Sequence, residues 1–185
     1  MHPKSDILLK WELDTIEYYF HNGLNYYTEL IQGEFSEDPN HIIGVKEYAI
    51  GSFKYFRRSV LYELNALIEQ WLLIASSEDG QFFHNQNLKR TRSNTVKTIK
   101  QKYVIELDKI SGFHGTEMIR KTVNSIKHRG GFDFTDYSKG IPEFKSVKDD
   151  IEHLKELKDS AFKFLKELID VIIIMEHENT KPNNG

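Results

Sequence analysis

Residues 38–77 read DPNHIIGVKEYAIGSFKYFRRSVLYELNALIEQWLLIASS. Asp38 is a capping acid, and Pro39 supplies the fixed backbone angle that suits the first position of a helix. Phe53, Phe56, Val60, Leu64, Leu67, Trp71 and Ile74 then recur at spacings of three and four. Such spacing lines up one face of an α-helix and does not alternate as a strand would. The stretch therefore predicts one very long helix running to about Ser77 with a continuous apolar stripe. Gly44 and Gly51 lie seven apart on one face, where they either permit a close helix approach or merely weaken the helix start.

The flanking segments follow the same period. Ser5 can cap a first helix whose stripe is Leu13, Ile16, Phe20, Leu24, Tyr27 and Ile31, with Gly33 as its stop. After Ser77 a polar loop over 78–93 contains Phe82, Phe83 and His84. A third helix is predicted over 94–110, with Val96, Ile99, Tyr103, Leu107 and Ile110 inward. Gly112 and Gly115 bracket a turn, Thr116 caps a short fourth helix, and Gly130-Gly131 ends it. A loop over 132–145 carries Phe132, Phe134 and Tyr137. Ser146 and Asp149 resemble a capping box for the last helix. That helix runs to about His177 on Val147, Ile151, Leu154, Ala161, Leu165, Leu168, Ile172 and Met175. No strand run, repeat or low-complexity tract interrupts the series. The sequence predicts an all-α bundle of about five helices with long antiparallel pairs, one domain over 1–178 and a disordered tail over 179–185.

Composition narrows the function classes. Cysteine is absent, which excludes disulfides and thiolate metal sites. No apolar run reaches the ~20 residues of a membrane helix, and Met1 to Lys10 lacks a signal-peptide pattern, so a soluble cytoplasmic protein without a membrane role is expected. No Gly-rich phosphate loop, dinucleotide fingerprint or His-Glu-x-x-His motif is present, so no cofactor and no metal are implied. Asp150 and His153 have near-ligand spacing but fit a solvated helix face. The net charge of −3 hides a strong asymmetry. Residues 11–45 hold acids and no Lys or Arg. Residues 80–105 hold Lys89, Arg90, Arg92, Lys97, Lys100 and Lys102 and no acid. Brought together, such basic blocks form the electrostatic footprint of a polyanion.

The fourth helix carries the candidate chemistry. Ile119, Val123 and Ile126 fall within roughly 60° of one another and can seat it. Arg120, Lys121, Asn124, Lys127 and His128 fall elsewhere, with His128 about 180° from Ile119. Cleaving RNA without a metal needs one group to take a proton from a 2′-hydroxyl and one to protonate the leaving oxygen. Histidine can do either near neutral pH. Fixed cations and amide donors can stabilise the phosphate. A phosphate along this row would meet Lys121 or Arg120, Asn124 and His128. Lys127, Arg129, Lys89, Arg90 and Arg92 are candidate substrate contacts. A histidine and cations at a helix C-terminus also complement its dipole, which is the plainer explanation.

Asn124-Ser125-Ile126-Lys127-His128-Arg129-Gly130, late in an all-α chain, resembles the HEPN superfamily of prokaryotic toxin–antitoxin, abortive-infection and CRISPR systems. Many members are metal-independent ribonucleases that act as homodimers with their two motifs facing. The resemblance implies a HEPN-like bundle, a homodimer, RNA or nucleotide as partner, and an antitoxin protein as a further partner. It matches His128 to the catalytic His and Asn124 to a polar motif residue. The family's signature is an Arg, then a polar residue, with four to six residues before the His. Here Arg120 stands seven intervening residues before His128, and the residue with six is Lys121. Lysine keeps the charge but loses the two-pronged phosphate grip. The alternative expectation is a non-catalytic HEPN-like or unrelated helical module that binds nucleotide, RNA or a protein.

Overall fold

The computed structural model describes residues 5–32, 38–77, 91–128 and 147–179. The elements are α1 (Ser5–Gln32), α2 (Pro39–Ser76), α3 (Arg92–Tyr103), a 3-10 turn (Leu107–Lys109), α4 (Phe113–His128) and α5 (Val147–Asn179). The described residues are all-helical and contain no strand. None of their helices is long and apolar enough to cross a membrane. The expected stops at Gly33 and Gly130-Gly131, the cap at Ser146, the loop residues Phe82, Phe83, His84, Phe132, Phe134 and Tyr137, and tail residues 180–185 lie outside the described residues, while Asn179, expected in the tail, is the last residue of α5.

α2 is the centre. It packs on α1, α3, α4 and α5. Its seven predicted stripe residues are all buried, and Leu61, Ile68 and Leu72 extend the stripe into a second buried row. A helix apolar on more than one side is what a central position requires. α1 runs antiparallel to it, since Glu12 reaches Trp71 while Tyr27 stacks on Phe53. At the α1 end of this pair, Trp71 Nε1 donates to Glu12 Oε2 at 2.6 Å and Gln70 Nε2 donates to Oε1 at 2.9 Å. α5 closes the other side of α1. There the buried Lys158 ammonium donates to Glu17 and to Asp159 and lies over the rings of Phe20 and Phe162. Burial alone would push this ammonium down, but the hydrogen bonds to Glu17 and Asp159 outweigh it and hold it above the usual lysine value.

Two boundaries differ from the expected ones. α3 ends at Tyr103, because Val104 turns into the left-handed region with φ 57°. The chain then bends through the 3-10 turn, yet Ile105, Leu107 and Ile110 remain buried. α4 starts at Phe113, three residues before Thr116. Thr116 is fully buried and donates to the Phe113 carbonyl at 2.8 Å, so it is no cap. Gly112 has φ 82°, and a Cβ there would lie 2.1 Å from the Ser160 carbonyl oxygen. A Cβ at Gly115 would lie 2.3 Å from that of Ser160. Of these glycines, expected to bracket a turn, Gly112 does stand in the turn before α4 while Gly115 lies inside α4, and both bring α4 against α5. By contrast, a Cβ at Gly44 or Gly51 would meet nothing within 4 Å. In α5, Leu157, Phe164 and Ile169 join the predicted stripe in the core.

Candidate functional site

Ile119 and Val123 are fully buried, which fixes how α4 is rotated. Lys121 and Lys127 are exposed and Asn124 is half-buried. The polar row therefore lies outside the core as its spacing predicts. The Lys127 ammonium lies 5.6 Å from the centre of the Tyr62 ring of α2, a cation–π distance that settles the last turn of α4 on α2. His128 is the final residue of α4, and its side chain lies outside the described residues, as do Arg129, Lys89 and Arg90.

The arginines are occupied otherwise than expected. Arg120 donates from Nε at 3.1 Å and from Nη2 at 2.7 Å to Glu117 Oε2. The other oxygen, Oε1, accepts from Arg92 Nε at 3.1 Å and Nη2 at 2.7 Å. Arg92 Nη1 donates in turn to Glu69 Oε1 at 2.6 Å. The series Glu69, Arg92, Glu117, Arg120 ties α2, α3 and α4 together through two guanidinium forks. Only 14% of the Arg92 side chain is exposed. Burial raises the Glu117 carboxyl, but the hydrogen bond from Arg120 and the charge of Arg92 prevail and hold it below the usual carboxylate value. Arg92, predicted as a substrate contact, is thus a structural ion-pair partner whose charge is matched by two carboxylates.

The basic block is likewise interleaved with acids from elsewhere. Lys100 lies 3.7 Å from Glu106, Lys109 pairs with the same carboxylate, and Lys102 donates to the Ser77 carbonyl at 2.7 Å. Asp150 is also corrected: it does not sit on a solvated face but accepts from Arg57 Nη1 at 3.3 Å, with 13% of its side chain exposed. Burial raises its carboxyl in spite of the Arg57 charge. His114, expected in a loop, stands exposed in the first turn of α4.

Of the predicted site residues, the structure aligns Lys121, Asn124 and Lys127 along α4 up to the position of His128. It joins Arg92 and Arg120 through Glu117. Sequence reading missed Glu69, Glu117 and Tyr62. The Glu117–Arg120 pair had a signal in its spacing of three on one helix. Glu69 and Tyr62 reach the site only through tertiary packing. Compared with protein-family models, curated proteins and solved structures, the chain matches none.

Proposed function

We propose that this is a HEPN-like helical protein that acts on RNA as a metal-independent endoribonuclease of a prokaryotic toxin or defence system. The observation that carries the reading is the outward row of Lys121, Asn124 and Lys127 on a helix seated by Ile119 and Val123 and ending at His128. The reaction is an internal transesterification. The 2′-oxygen attacks the adjacent phosphorus, the 5′-oxygen leaves, and a 2′,3′-cyclic phosphate results. His128 serves as general acid or base, and Asn124 and Lys121 orient and stabilise the phosphate. Arg120 contributes as a fixed positive charge held by Glu117. Its engagement there is the observation that favours the second reading, a module that binds RNA without cutting it.

The test is cleavage of a panel of structured and unstructured RNAs by protein freed of contaminating nuclease, with and without a chelator. Cleavage that survives the chelator and falls by at least about 100-fold in His128→Ala, with helical circular dichroism intact, supports the enzyme. Salt-sensitive RNA retention without cleavage supports the binding module. If the wild type neither cuts nor retains RNA, both readings fail.

A further inference from the structure

α1 is apolar on two opposite sides. Its inner side, with Leu9, Leu13, Phe20 and Leu24, is buried against α2 and α5. Its outer side carries Ile7, Leu8, Trp11, Tyr18 and Tyr26, which fall within roughly 100° of one another and point away from the inner row. Tyr18 is 75% exposed, Trp11 66% and Ile7 64%. The central α2 needs apolar residues on more than one side, but α1 stands at the edge of the bundle, where an aromatic stripe is left in water. Acids border the stripe. Of the acids of α1, Glu12 turns to Trp71 and Gln70, and Glu17 turns to Lys158. Lys10, the only cation of α1, lies on the α5 side with Lys166 and Ile169. Asp14 and Glu29 remain exposed, as does Glu63 of α2, and among the described residues none of the three is ion-paired. Between α1 and α2 runs a groove of about 410 Å³ lined by Thr15, Ile16, Tyr19, Ser59 and Glu63. The Tyr19 ring is set against Phe56 at 5.7 Å, and its hydroxyl donates to Ser59 Oγ at 3.3 Å. A groove with apolar walls and one exposed carboxylate suits the long stem and charged head of an arginine or lysine.

We propose that the outer side of α1, with the groove beside it, is the docking surface for a cationic amphipathic helix of a partner protein. Charge chooses the occupant. Residues 11–45 contain acids and no Lys or Arg, so this face repels nucleic-acid phosphates and anionic bilayers. It equally repels a second copy of itself, because pairing two such faces brings their acids together. A helix with leucines or aromatics along one side and lysines and arginines on its flanks answers both the stripe and its border. Its apolar side lies along Trp11 and Tyr18. An arginine from its flank enters the groove, stacks on Tyr19 and pairs with Glu63. From Ile7 to Tyr26 the stripe spans about 28 Å, the length of roughly five helical turns. The row of Lys121, Asn124 and Lys127 stands on α4, so this docking rests on neither RNA binding nor catalysis.

The probe is a synthetic helix of about 18 residues with Leu at spacings of three and four and Lys and Arg elsewhere, titrated into the full chain. It is expected to bind saturably and to move Trp11 emission to shorter wavelength. Trp71 is already fully buried, so Trp11→Phe should remove that shift. Trp11→Ser combined with Tyr18→Ser leaves circular dichroism and melting unchanged, since both rings stand in water, and weakens binding at least about tenfold. Asp14→Lys or Glu63→Lys weakens it about threefold each and flattens its salt dependence. Two control peptides should not bind: one with Glu in place of every Lys and Arg, and one of unchanged composition with the leucine spacing scrambled. No binding of the basic helix overturns the proposal, and so does equal binding of either control. Binding indifferent to Trp11→Ser with Tyr18→Ser lies on another face and overturns it too. Self-association of the wild type through Trp11 would give the face to a second copy. A Trp11 shift on phosphatidylglycerol vesicles with none on the basic helix would give it to a bilayer. Either result also overturns the proposal.

Discussion

Arg92 shows how one side chain can look like a ligand contact and be a fastener. Its three donor nitrogens are committed to Glu69 and Glu117, and it is largely buried. Arg92→Ala leaves two partly buried carboxylates facing each other's charge and should cost about 2 kcal/mol, a value discounted because both acids remain partly exposed. Urea denaturation checks this. The pH dependence has a definite sign. Glu117 is held below its ordinary value of 4.5, so its contribution is complete above that pH and is lost as pH falls through its lower folded value. The acid limb of stability should therefore be shallower in Arg92→Ala, whose Glu117 loses most of this support. The Glu117–Arg120 half of the arrangement was legible from its spacing. The Glu69–Arg92 half was not, because the two residues stand on different helices and nothing local marks them as a pair.

Helices were more legible than their ends. α2 begins and ends where its capping acid, its proline and its stripe indicate. α3 was read too long because Leu107 and Ile110 keep a helical period and are buried, although the backbone between them and Tyr103 bends through Val104. Burial spacing records which residues face the core, and a bent segment can preserve it. α4 was read too short because Gly112 and Gly115 look like turn residues. Gly112 is one, at φ 82°, whereas Gly115 lies inside α4, and both pack against Ser160 of α5. Gly115→Ala should thus destabilise the protein by about 2 kcal/mol through overpacking, against the stabilisation that glycine replacement in an open helix brings. Thermal melts of the variant decide it. The candidate catalytic row was legible as a surface, from Ile119 and Val123 outward. That Arg92 was already matched, by acids on two other helices, was not.

In the whole molecule the all-α class followed from long amphipathic segments, each with one dominant period. Their arrangement around α2 depended on contacts that no single segment displays. Leu64 is fully buried near the middle of that helix. Leu64→Ala should lose about 3–4 kcal/mol, seen as a lower urea midpoint. Trp71 is fully buried and Trp11 66% exposed, so the emission change on unfolding reports chiefly the centre of the bundle. The contact of Lys158 with Glu17 spans 141 positions of the chain. It joins the first described helix to the last. Until α5 has been made, α1 and α2 lack the cover that Lys158 and its neighbours supply, so their packing is completed only after α5 joins them. A chain ending at residue 146 should consequently bind a hydrophobic dye and be cut readily by protease, whereas the intact protein resists both.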